Sequence, residues 1–374
     1  MSPAMRNAAI AVVAIAAVEG LACSPGPEPA QPVPPAAPAN ASGAPSPSPS
    51  PSPAPEPVAV DESVKAPAAC PDDMQLVAGD HCSAVKHRCL VEWYAPQNHV
   101  RVCEQFAEAA ECVGTKTPRR FCIDRYAWPN QKGERPEIMN NFHQAQVKCA
   151  AVGKRLCSES EWTFACEGPR MLPFPYGFTR DPRKCNGDHK WDNPSLAKMN
   201  QRDPAELARL WRGVPSGSQP ECVSDFGVAD LPGNTDEVVA ADSPTARYSS
   251  VHTGGPWYSG VRNQCRPKVY THGEETYGYF LSFRCCAEAD GAENERRTKK
   301  QIRDGVTWER IEEIAQFTVE EMQAVLEKKR RGECTCGARD ILCKTMCGTT
   351  MGPGAVDGSD ATRVLHPSRE RIRP

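Results

Sequence analysis

The chain has 374 residues, among them 36 prolines, 27 glycines and 19 cysteines, and a formal net charge of −3. That charge balance excludes a basic nucleic-acid scaffold, and so many cysteines, spread out rather than grouped in repeated CxxC pairs, exclude an ordinary domain of a reduced cytosol. The composition is that of an exported, disulfide-bonded protein with one main folded domain.

Arg6 precedes the apolar run Ala8–Val18, which has the length of a signal-peptide core and is too short to span a bilayer. Gly20-Leu21-Ala22-Cys23 follows, a small residue before a cysteine with leucine close upstream, similar to a bacterial lipobox. Residues 1–22 are therefore expected to be a signal peptide, with Cys23 the lipidated first residue of the mature chain. Residues 23–69 are rich in proline, alanine and serine, and the SPSPSPSPAP run from Ser46 favours extended polyproline conformations. At about 3.1 Å per residue this tether reaches on the order of 100 Å from a membrane surface.

The first globular text is CPDDMQLVAGDHC, Cys70 to Cys82. Met74, Leu76 and Ala78 have the alternation of a short strand, Gly79-Asp80 supplies a turn signal, and the cysteine at each end suggests a stapled hairpin. A Cys-rich insert at 83–119 carries Cys89, Cys103 and Cys112 beside His87 and His99, without zinc-finger spacing. Disulfides are expected there rather than a metal. Phe121–Trp128 reads as a strand.

In Asn141 to Gly168, Phe142, Ala145, Cys149 and Val152 share one helix face, and Gly153 suits the left-handed position that ends the helix. Ser158 and Glu161 form a capping box for a second helix that turns Trp162 and Ala165 inward and closes at Gly168. Glycine and proline are then scattered from Pro169 to Pro267 with no long amphipathic segment. The vicinal Cys285-Cys286 is read as two separate structural disulfides, because adjacent cysteines bond to each other only under strain.

A charged stretch from Asp290 to Lys300 marks a boundary at about residue 290, and 291–374 is read as a helical, Cys-containing tail with a disordered end. Trp308, Ile311, Ile314 and Phe317 make a helical stripe, and Thr318 with Glu321 caps a second helix ahead of Met322, Val325 and Leu326. The stripe can dock on the main domain or on a partner. For Cys334, Cys336, Cys343 and Cys347, disulfides are favoured over zinc in an exported chain.

The series CPDDMQLVAGDHC, FCIDRYAWPN, GKRLCSESEW, FPYG, FGVADLPGNTDE, GGPW and SFRCC, in that order, resembles the formylglycine-generating enzyme, or sulfatase-modifying factor, family over Cys70 to Ala289. The resemblance implies an α+β fold of the duplicated C-type-lectin-like kind, low in regular secondary structure. It also implies an oxidase that holds copper with two active-site cysteines, between the Gly254-Gly255 element and a downstream cysteine. Here no cysteine appears before Cys265, which matches the downstream one, so neither copper nor formylglycine generation is expected. The iron-binding HxxxHxE helix of a second branch is also missing, and His143, His189, His252 and His272 stand singly in the sequence.

One site implied by the resemblance keeps suitable donors. Asp230-Leu231-Pro232-Gly233-Asn234-Thr235-Asp236-Glu237 packs hard oxygens into eight residues, and calcium tolerates irregular sets of six to eight such ligands. The family's calcium loop carries over as the Asp230 side chain, the Gly233 and Thr235 carbonyls and the Glu237 carboxylate. Asp236 and Val238 stand where the family usually has tryptophan.

Together these readings give a lipid-anchored protein of the bacterial envelope whose family-like domain lacks the copper cysteines. It is expected to act as a binding or scaffolding module for a protein or glycan ligand, without nucleic acid. The alternative is an enzyme working from the same pocket with Trp257, Tyr258 and Arg262.

Overall fold

The computed structural model describes residues 68–95, 99–337 and 342–343, all within the unit Val64–Pro374. The expected signal peptide, Cys23, nearly all of the expected tether, Cys347 and the end of the tail lie outside the described residues.

The strands are β1 (Met74–Cys82), β2 (Val85–Lys86), β3 (Cys89–Tyr94), β4 (Arg101–Phe106), β5 (Glu111–Cys112) and β6 (Lys116–Asp124), then β7 (Arg155–Leu156), β8 (Asp236–Ala240), β9 (Ser250–Thr253), β10 (Lys268–Val269), β11 (Leu281–Ser282) and β12 (Cys285–Glu288). The helices are α1 (Phe142–Ala151), α2 (Glu159–Glu167), α3 (Leu196–Asn200), α4 (Pro204–Leu210), α5 (Lys299–Arg303), α6 (Trp308–Ala315) and α7 (Val319–Arg330). Two four-stranded sheets, ordered β1-β6-β12-β7 and β10-β9-β8-β11, and two short ribbons, β2-β5 and β3-β4, hold the strands. Long loops make up much of the rest.

The stapled hairpin expected between Cys70 and Cys82 is not formed. β1 pairs antiparallel along its whole length with the distant β6, from Met74 opposite Asp124 to Cys82 opposite Lys116. Its two cysteines bond elsewhere, as Cys70–Cys122 and Cys82–Cys112. Cys89–Cys103 staples the β3-β4 ribbon of the insert. Eight disulfides join described cysteines, the others being Cys149–Cys285, Cys157–Cys286, Cys166–Cys265, Cys185–Cys222 and Cys336–Cys343. Cross-links at that density offset the entropy of ordering so much loop and belong to an oxidising compartment, extracellular or periplasmic. Among the described residues no helix is long and apolar enough to cross a membrane.

The GKRLCSESEW segment is tied down residue by residue. Gly153 takes a positive φ of 75° just past α1. Lys154 bridges Asp73 at 2.5 Å and Asp124 at 2.6 Å, and Arg155 binds Glu161 through two bonds and Glu288 through two more. Ser158 and Glu161 complete the expected capping box, with Glu161 Oε2 accepting from the Ser158 N–H at 2.8 Å. Trp162 is buried against Phe164, Val239 and Val251 in one core.

A second core forms where α1 meets β8 and β11, through Phe142, Ala145, Val238 and Leu281. The tail helices join it: Met322 and Val325 of α7 pack there, while Ile311 and Ala315 of α6 cover Val147 on another side of α1. The stripe thus docks on the main domain. That explains why nearly every residue of α1 is buried, although one apolar face was all that the sequence predicted.

Candidate functional site

Consecutive residues of a strand point to opposite faces of its sheet, and β8 uses this to separate two carboxylates. Glu237 faces the core around Trp162. Its Oε1 accepts from Arg284 Nη2 and its Oε2 from Arg284 Nε, each at 2.7 Å, while Oε2 also accepts from Trp162 Nε1 at 2.9 Å. The remaining Arg284 N–H groups reach the carbonyls of Asp124, Arg125 and Ala229. Both ionic side chains are fully buried.

This arrangement bears on the calcium expectation. Asp230, Gly233, Thr235 and Glu237 do lie on one buried loop and strand. However, Glu237 is committed to a guanidinium, and calcium beside that cation would meet like charge. Asp230 accepts from the Gly217 N–H at 2.7 Å through Oδ2, and burial pushes its carboxyl up to about 6, so it stays mostly ionised near pH 7. Gly233 points its N–H at the Gly254 and Gly255 carbonyls. Among the described residues no group of three His, Cys, Asp or Glu side chains is placed to hold a metal ion. Asp230 Oδ1 and Thr235 Oγ1, both buried, are without hydrogen-bond partners.

Asp236, on the opposite face, was noted in the sequence only as a missing tryptophan. It is buried and forms a two-pronged pair with Arg262, at 2.8 and 2.6 Å, and its Oδ1 accepts from the Gly255 N–H at 3.3 Å. Gly255 holds a φ of 64°, and a Cβ there would meet Arg262 at 2.6 Å, so the turn and the arginine's approach both require glycine. Arg262 lies inside the interval where the resemblance places copper cysteines. Cys265, at the end of that interval, is bonded to Cys166. Every described cysteine is disulfide-bonded, so among the described residues no thiolate is available for a two-sulfur copper site.

Two histidines that stand apart in sequence meet at this site. The ring centroids of His252, on β9, and His272 are 4.9 Å apart. His252 Nδ1 lies 3.7 Å from Asp236 Oδ2, beyond hydrogen-bond reach, and neither of its ring nitrogens has a partner. Burial pushes His252 down to about 4, so the ring is neutral near pH 7. The buried Arg262 Nε and Asn263 Oδ1 are also without partners.

An aromatic wall adjoins this polar group. Trp257 is buried edge-on against Trp211 at 4.9 Å, Tyr258 contacts Tyr279 and Phe280, and Arg135 stacks over Trp211 at 4.1 Å. Burial raises the Tyr258 hydroxyl far above the ordinary phenol range, so it stays protonated. Of the residues expected for an enzymatic alternative, Arg262 anchors the polar group, while Trp257 and Tyr258 belong to the wall. Asp236, His252 and His272 were missed. The signal available was a charged residue at a tryptophan position, which required a cation from elsewhere in the chain.

A family model described as "Sulfatase-modifying factor enzyme 1-like domain" matches residues 92–289. Among solved structures the chain is similar to CarF, at 13% identity over 59% of this chain and 99% of that one, with a TM-score of 0.37. It is similar also to PvdO from Pseudomonas aeruginosa, at 18% identity over 59% and 97% of the two chains, with a TM-score of 0.34.

Proposed function

The chain belongs to the sulfatase-modifying factor family, and from that premise we infer that it is an exported, lipid-tethered binding or scaffolding module rather than a formylglycine-generating oxidase. The observation that supports this most is the fate of the Gly254–Cys265 interval. Its single cysteine is consumed by Cys166, and its arginine is locked on the buried Asp236. The half-open polar group beside the aromatic wall would then bind part of a protein or glycan ligand through unpartnered donors and acceptors. Function follows the site and not the fold, so the family's oxidase chemistry is not carried over.

The test is co-expression with a sulfatase bearing the target cysteine. The expected result is unmodified cysteine by mass spectrometry; formylglycine would overturn the reading. Fatty-acid labelling of Cys23, absent in Cys23→Ala, checks the tether.

A second reading, an enzyme with a different site, is favoured by His252, a neutral buried imidazole with both nitrogens free beside a carboxylate. Redox-active copper or iron at near one per purified chain would favour it over the binding module.

A further inference from the structure

A second buried polar group surrounds Lys148. Helical side chains lean toward the N-terminus, so the long Lys148 side chain runs back along α1 to the residues just before its cap, Asn141. There Lys148 Nζ donates to Asn140 Oδ1 at 2.8 Å and to Glu137 Oε1. The same Glu137 oxygen accepts from Asn140 Nδ2 at 3.2 Å. One carboxylate oxygen therefore touches both the amine and the amide nitrogen, and Trp128 Nε1 fixes the other oxygen at 2.9 Å. Lys148, Glu137 and Asn140 are 2%, 8% and 3% exposed, with Trp128 and Phe142 buried close by in the chain. A lysine so enclosed beside a primary amide is a nucleophile held against an electrophile, with a proton carrier bonded to both.

We propose that Lys148 and Asn140 condense into an intramolecular isopeptide bond, with Glu137 as the proton carrier. Glu137 takes a proton from the ammonium, and desolvation, which lowers the amine's pKa, favours that transfer. The Nζ lone pair attacks Asn140 Cγ, one bond beyond the oxygen it already touches. Glu137 then returns a proton to Nδ2 and removes one from Nζ. The Cγ–Nδ2 bond breaks as the Nζ–Cγ bond forms. With Glu137 keeping the last proton, the net change turns a lysine ammonium, a carboxylate and a primary amide into a secondary amide, a carboxylic acid and ammonia, with no oxidant or cofactor. It thereby replaces a buried charge pair, costly to keep in a protein interior, with neutral groups. The proposal is independent of the binding reading above.

Peptide mapping of the reduced full chain tests it. Trypsin does not cut after an acylated lysine, so the expected product is an uncut peptide running from Gly133 to Lys154, lighter by one ammonia. Tandem fragmentation should place the loss at Asn140 and Lys148. Lys148→Arg and Glu137→Gln should both restore the full sequence mass. Cleavage after Lys148 in the wild-type chain, at unreduced mass, would overturn the bond whatever the variants do. Ammonia loss persisting in Glu137→Gln would overturn the role given to Glu137.

Discussion

Adjacent residues of β8 build two ion pairs that differ in how completely they are satisfied. Glu237–Arg284 is sealed, both side chains fully buried and both carboxylate oxygens bonded. Asp236–Arg262 is open: the Arg262 side chain is 19% exposed, and unpartnered atoms of His252, Asn263 and Arg262 itself surround it. A buried polar atom left without a partner costs stability. The fold carries that cost at the Asp236–Arg262 pair and avoids it within the Glu237–Arg284 pair, the distribution expected if the first pair meets a ligand and the second holds the domain together.

Removing each cation in turn sharpens the contrast. Arg284→Ala strands Glu237 without solvent, and a loss of about 3–5 kcal/mol is expected, as for other broken buried pairs; the midpoint of urea unfolding measures it. A loss no larger than at the open pair would break the comparison.

The next effect depends on pH. Burial lowers the folded pKa of His252 to about 4, below the 6.5 of an unfolded histidine. Its contribution is thus fully present above pH ~6.5 and is lost as pH falls toward 4, by about 3 kcal/mol at most. His81, also lowered to about 4, acts in the same direction, so the pH slope of wild type should be compared with that of His252→Gln. Equal slopes would remove His252 from the account.

Arg262→Ala should cost less than either, about 1–3 kcal/mol, because water can reach the vacated side of Asp236. The smallest expected effect is none at all: a chelator should leave the melting temperature unchanged, since Glu237 is engaged by Arg284 and not by an ion. A downward shift would restore the calcium loop.

What was legible in the sequence follows the reach of each interaction. Ser158 and Glu161, Thr318 and Glu321, and the helix-ending Gly153 act within one helical turn, so their letters suffice. The GKRLCSESEW series carried the fold because each of its residues has a fixed partner. Asn141 and Gln144 cap α1 in the same manner, and amide letters in place of the usual hydroxyl and carboxylate hid them. The long pairings were not legible. β1 finds β6, Arg262 finds Asp236 and His252 finds His272 only through tertiary packing, which no local periodicity encodes. Nor was the cation that Glu237 meets, Arg284, which lies 47 residues further on.

The neighbouring cysteines of β12 carry one more consequence. Cys285 joins α1 in one core through Cys149, and Cys286 joins the segment before α2 in the other through Cys157. A one-residue slip of β12 would invert its faces and present each sulfur to the wrong layer. The two bonds together therefore act as a register key: a peptide map that finds Cys149 with Cys285 and Cys157 with Cys286 reports the alignment of the central sheet as well as the connectivity.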